Sequence, residues 1–194
     1  MRTSIQEAKS ALREKVHHRL REMAPEDRGA ASDQARALLL EQHIWRRAGS
    51  VLFFAPLPLE VDVWPLLTKA LAAGKRVALP RFQPEAQTYG AFQLKDPEKD
   101  LRLGKFGIQE PKEHCARLPS SAVDLILVPG IAFDLQGRRL GRGKGYYDQL
   151  LADLVGPRCG VAFDQQIVPE ILVEPHDAKV NYLLTPTRWA KFRG

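Results

Sequence analysis

The chain has 194 residues, 44% hydrophobic and 27% charged, and its 29 Lys plus Arg outweigh 23 Asp plus Glu to leave a net charge of +6. A chain of this length buries roughly 70% of the surface its unfolded form exposes, which excludes intrinsic disorder as the main state and any need for a disulfide or structural metal to fold. The apolar runs at 51–59 and 125–133 are broken by Pro56, Pro58, Pro129 and Gly130 and fall short of the about 20 residues of a membrane span.

The charged N-terminus from Arg2 to Arg21 has neither the apolar core nor the cleavage site of a secretory signal, so a cytoplasmic protein is expected. Ser4 and Glu7 form a capping-box pattern, and Ile5, Ala8, Leu12, Val16, Leu20 and Met23 recur at three- and four-residue steps. This predicts an amphipathic helix ending before Pro25, with Lys9 and Arg13 stacked one turn apart on its polar side. A second helix is predicted over about 32–46, closed by Gly49. Val51, Leu52, Phe53 and Phe54 follow without a polar break, which suits a strand over 50–55 buried on both faces of a covered sheet, with a loop at 56–59.

Asp62 is placed to cap a helix through 71 with Gly74 as its stop, and 75–79 reads as a strand ended by Pro80. The stretch 81–121, richer in Pro, Gly, Gln and charge, is expected to be irregular apart from a short strand near 91–94. A third buried strand over 125–128 runs into Pro129 and Gly130, a strand end of the kind where ligands of α/β proteins bind. A helix over 146–154 and strands over 159–163 and 182–185 complete an α/β fold, a mostly parallel central sheet with helices on both faces.

Glycines at 137, 141, 143 and 145 alternate with Arg138, Arg139, Arg142 and Lys144 immediately before the last helix. Glycine lets the main chain approach a ligand closely, successive N–H groups converge on phosphate oxygens, and the basic side chains and the helix dipole add positive charge. The pattern matches neither of the common nucleotide fingerprints, and a flexible basic turn is the bland alternative. Asp148 beyond the segment suits a magnesium ion that bridges phosphate oxygens, or merely favours the helix N-terminal turn. Asp177 and Glu60 stand in loops near the same sheet end; by sequence alone Asp177 reads first as a surface-loop acid, and an ordinary exposed glutamate is the alternative for Glu60. Cys115 and Cys159 lack partners at metal or redox spacing, and the histidines at 17, 18, 43, 114 and 176 lack ligand spacing.

The run Arg139-Leu-Gly-Arg-Gly-Lys-Gly-Tyr-Tyr-Asp148 resembles the signature of the 5-formyltetrahydrofolate cyclo-ligase family, and shorter matches stand at 9–13, 60–62, 106–111, 128–134 and 177–180. The resemblance implies a single domain over 1–194 with the three-layer NagB/RpiA-like architecture. It also implies cyclisation of 5-formyltetrahydrofolate to 5,10-methenyltetrahydrofolate with ATP as co-substrate and Mg2+ as cofactor. ATP would be bound by Lys9, Arg13, Arg139, Gly141, Arg142, Gly143, Lys144, Gly145, Tyr146 and Tyr147. Folate would be bound by Ala55, Glu60, Arg142, Lys144 and Tyr146, with Arg142 and Lys144 catalytic and Asp148 and Asp177 holding the metal. A monomer with no nucleic-acid or membrane partner is implied, and the positive charge suits a folate with an acidic polyglutamate tail. Val63 departs from the Thr or Ser expected there, and Arg81, Phe82 and Tyr89 receive no role. The competing readings are a relative that binds nucleotide or folate without turnover and a basic nucleic-acid-binding protein whose Trp45, Trp64 and Trp189 would stack on bases.

Overall fold

In a computed structural model of the chain, residues 4–104, 107–175 and 177–192 are described; Arg2, the first position of the 106–111 match and His176 lie outside them. Helix α1 (Ile5–Glu22) begins with the expected capping box between Ser4 and Glu7. Pro25 ends that helix and also opens the next. A proline is favoured at the first helical position because its missing N–H would have no partner there, and Glu26 and Asp27 add negative charge to the same turn. Thus α2 (Pro25–Glu41) starts earlier than the predicted 32, and the extended backbone of Gln42 separates it from the short α3 (His43–Arg47).

Seven strands form the central sheet: β1 (Ser50–Leu52), β2 (Arg76–Gln83), β3 (Thr88–Leu94), β6 (Leu125–Val128), β9 (Arg158–Val161), β10 (Tyr182–Leu184) and β11 (Trp189–Lys191), in spatial order β11-β10-β9-β6-β1-β2-β3. The five inner strands are parallel and the two edges antiparallel. Val51, Val77, Leu125 and Leu127 face one layer, where Val16, Leu20, Leu39 and Leu66 from α1, α2 and α4 (Trp64–Ala72) cover them. Leu52, Ala78, Ile126 and Val128 face the other, against Leu150 and Leu151 of α6 (Tyr146–Asp153). Double-sided burial is why these strands carry no polar alternation. Phe133 fits under the sheet because a Cβ on Gly130 or Gly160 would stand 2.7 or 2.6 Å from its ring.

The stretch 81–121 is more regular than expected. Pro80 does not end β2: beyond Ala78 the strand has outrun β1, so the missing proline N–H faces an open edge, and β2 continues as a hairpin with β3 from Val77↔Leu94 to Gln83↔Thr88. After α5 (Pro97–Asp100), β4 (Leu101–Leu103) and β5 (Gln109–Pro111) form a separate two-stranded arm. A second small ladder, β7 (Ala132–Phe133) with β8 (Arg139–Leu140), delivers the chain to the glycine segment. Val63 is the N-cap residue of α4 without a capping side chain, and Asp62 Oδ1 accepts from Trp64 N at 3.0 Å instead. Trp45 is buried, and Trp64 and Trp189 pack partly buried against the core. No described helix is long and apolar enough to cross a membrane.

Candidate active site

From β1 the chain proceeds to β2 and β3 on one side of the sheet, then returns to β6 on the other side and continues to β9 and β10. Connections leaving adjacent strands in opposite directions open a crevice at their carboxyl ends. Here Phe54 and Ala55 after β1 and Pro129 and Gly130 after β6 line a cavity of about 390 Å3. Glu60 and every site residue expected between Arg139 and Asp148 line the same cavity. Lys9, Arg13 and Asp177 stand outside its wall.

Arg13 instead lines an adjoining groove with His17, Arg21 and Arg142. Its Nε donates to Gly141 O at 2.9 Å, and its guanidinium passes so close to Gly143, at φ +92°, that a Cβ there would stand 3.3 Å from it. Gly145 adopts φ +69° as the N-cap of α6 and offers no capping side chain to the first-turn N–H groups, whose residues line the cavity.

Lys9, on the polar side of α1, is nevertheless buried, because it inserts between two acids, with Nζ 2.9 Å from Glu174 Oε2 and 2.5 Å from Asp177 Oδ2. Burial pulls its pKa down, but the hydrogen bonds and charges of those carboxylates outweigh it and hold the ammonium above its ordinary value. Asp177 Oδ2 also accepts Glu174 N, and Ala178 N donates to Asp148 Oδ1, so this loop joins the Lys9 cluster to the glycine segment. The Arg139 guanidinium gives Nη1 to Pro129 O and Nη2 to Asp148. With Oδ1 so engaged, Asp148 has Oδ2 to offer a magnesium ion, whose preference for one or two carboxylates plus phosphate and water this wall fits.

Among the described residues, the buried polar side-chain atoms without a hydrogen-bond partner are Arg139 Nε and Tyr147 Oη, on residues of this cavity's wall. Burial raises the Tyr147 phenol above its ordinary pKa, so it stays a neutral donor. Tyr89, to which the sequence assigned no role, is also a wall residue: Phe82, Tyr89 and Tyr146 form an edge-on trio with ring centroids 5.4 to 6.2 Å apart. Recognising the β2–β3 hairpin would have brought Phe82 and Tyr89 opposite each other. Arg81 turns away, stacking on Phe92 and donating to Lys112 O.

Away from the cavity, Asp100, His114 and Cys115 bring three ligand-type atoms within 4.8 Å of one another, a grouping that linear spacing concealed. Asp100 already accepts Lys95 N and Asp96 N on Oδ2 and pairs with His114 through Oδ1, which makes it a hydrogen-bond node of the loop before α5.

The model of the 5-formyltetrahydrofolate cyclo-ligase family matches residues 5–186. The chain belongs to this family. The 5-formyltetrahydrofolate cyclo-ligase of Mus musculus is 31% identical over 192 residues, covering 93% of this chain and 95% of the mouse protein. That of Escherichia coli K12 is 31% identical over 177 residues, covering 89% of this chain and 97% of its own. The solved structure of the Aquifex aeolicus 5,10-methenyltetrahydrofolate synthetase superposes with a TM-score of 0.87 at 34% identity, covering 96% of this chain and 93% of that one. The three-layer sheet expected from the cyclo-ligase resemblance is the fold observed.

Proposed function

We propose that the chain converts 5-formyltetrahydrofolate to 5,10-methenyltetrahydrofolate with consumption of ATP and release of ADP and phosphate. The observation that carries this is one cavity, at the switch point of the sheet, lined by the Glu60 carboxylate, the basic glycine segment and an aromatic wall.

Glu60 receives the pterin. Leu57 N donates to its Oε2 at 3.0 Å, orienting a carboxylate that accepts paired hydrogen bonds from the amino and ring N–H groups. Tyr146, Tyr89 and Ala55 border the folate. The ATP phosphates take the glycine segment, where the N–H groups around Gly143 and Gly145, the start of α6 and the side chains of Lys144 and Arg142 supply positive charge. Arg13 holds the segment in place through Gly141, and Arg139 and Tyr147 have an N–H and an O–H left to give. Lys9 acts through Asp177 and Glu174, holding these two acids in place.

In the family's reaction the formyl oxygen bonds to the γ-phosphorus as the bond to ADP breaks. N10 then bonds to the formyl carbon, that carbon's bond to the phosphorylated oxygen breaks, and phosphate leaves with the N10 proton lost to solvent. An amide oxygen is a weak nucleophile, so the protein's main task is to bring anionic phosphate beside it and stabilise the charge on the transferring group. Arg142 and Lys144 are placed to do this. Magnesium, which Asp148 and Asp177 would hold, would neutralise part of that charge. The net charge of +6 supports a substrate with an acidic polyglutamate tail; a cytoplasmic monomer completes this reading.

The test is incubation with 5-formyltetrahydrofolate and magnesium, with and without ATP, following the near-ultraviolet absorbance of the conjugated methenyl product. ATP-dependent growth of that band is expected. Its absence from a folded protein that binds both substrates would leave a binding protein without turnover.

A further inference from the structure

Arg142 is the one described residue that lines both the folate cavity and the basic groove of Arg13, His17 and Arg21. In the structure its Nη2 donates to Glu60 Oε1 at 2.9 Å. The two partners are unequal: the Glu60 side chain is 12% exposed and pinned by Leu57 N, whereas that of Arg142 is 50% exposed on a glycine-flanked loop. The carboxylate is therefore the fixed member and the guanidinium the one that can swing. Its other direction leads into the groove, where burial and the charges of Arg142 and Arg21 hold His17 below its ordinary pKa. Arg13 and Arg21 outnumber the one acid of the groove, Glu14, so the guanidinium is best received there together with an anion.

We propose that Arg142 couples the two substrate subsites: an ATP phosphate draws it from Glu60 into the basic groove, and the exposed carboxylate then receives the pterin. This rests on the function proposed above and adds to it a reason for the substrates to bind with positive cooperativity. Each ligand alone must break the Glu60–Arg142 pair, and whichever binds second finds it already broken. Guanidinium binds phosphate bidentately, which compensates Arg142, and the N–H edge of the pterin compensates Glu60. Linkage makes the effect reciprocal: folate tightens the nucleotide by the factor by which the nucleotide tightens folate.

The experiment is calorimetric titration of 5-formyltetrahydrofolate into the full chain, with and without a non-hydrolysable ATP analogue and magnesium. Disruption of one part-exposed ion pair sets the expected tightening at about 5-fold. In Arg142→Ala, folate alone should bind more tightly than to the natural protein, the nucleotide should bind more weakly, and the tightening should vanish. A merely structural arginine would not make folate binding tighter when removed. Equal folate affinity with and without the analogue in the natural protein, or full tightening in the variant, overturns the coupling. If Arg142→Ala does not fold, Glu60→Gln, which removes the same ion pair, must also abolish the tightening. Turnover separates the two ideas: methenyl product without coupling sinks this inference alone, whereas neither product nor folate binding sinks the proposed function with it.

Discussion

Arg139 and Asp148 close the glycine segment into a loop: Nη2 of the first meets Oδ1 of the second at 2.5 Å, although one belongs to β8 and the other to α6. Both lie almost out of solvent, with side chains 3% and 17% exposed. Removing one partner of such a pair strands the other charge. Arg139→Ala should therefore cost about 3 kcal/mol of stability in urea titration, together with most of the turnover. A loss below about 1 kcal/mol would show that the segment is held by other contacts.

Lys144 is exposed on the same loop, so its role is chemical more than structural. Lys144→Ala should lower kcat about 100-fold, the scale set by removing one group that stabilises transition-state charge. The melting temperature should stay within about 2 °C. Near-normal turnover would remove Lys144 from the mechanism.

Glu60→Gln replaces a charged acceptor by a neutral amide that also presents an unwanted donor to the pterin. Charge-assisted hydrogen bonds contribute about 1.5 to 3 kcal/mol, which predicts a rise of about 10-fold or more in KM for 5-formyltetrahydrofolate. The KM for ATP should not rise. Equal increases in both would place Glu60 in general support of the loop.

Acid stability should depend on Asp100. Burial alone would raise its pKa, but the Asp96 and Lys95 N–H groups and His114 outweigh it and hold the carboxyl at about 2, below the ordinary 3.8. The folded-state value is depressed, so the contribution is fully present above pH 4 and is lost as the pH falls towards 2. The difference corresponds to about 2 kcal/mol. Asp100→Asn should lose about that much at neutral pH and show a flatter acid limb in denaturation between pH 4 and 2. An unchanged acid limb would assign the pH dependence to other carboxylates.

Gly160→Ala tests the close packing beneath the sheet. Its new methyl would meet the Phe133 ring at 2.6 Å, and overpacking of this kind costs about 2 kcal/mol. The melting temperature should fall by about 4 to 8 °C.

The parallel core was legible because Leu125, Ile126, Leu127 and Val128 are covered on both faces and need no polar alternation. The Ser4 and Glu7 box announced α1 because capping is local. Pro80 misled because its effect depends on whether a neighbouring strand reaches it, and β1 stops short. Lys9 misled for the same kind of reason: only Glu174 and Asp177, far along the chain, make a helix-face lysine a buried one. The glycine segment was visible in composition, and its partners were not. Glu60 meets Arg142, and Arg13 meets Gly141, through tertiary packing with no local signal.

The Arg13 contact has a thermodynamic consequence of its own. Gly141 is anchored to α1 through its carbonyl, and the far end of the segment is closed by Arg139 on Asp148. Fixing a free backbone costs roughly 1 to 2 kcal/mol per residue, so a slack cradle of five residues would surrender on the order of 5 kcal/mol of affinity merely in coming to rest around a triphosphate. Here most of that ordering is met during folding, so a nucleotide bound as proposed would meet a main chain that is already set.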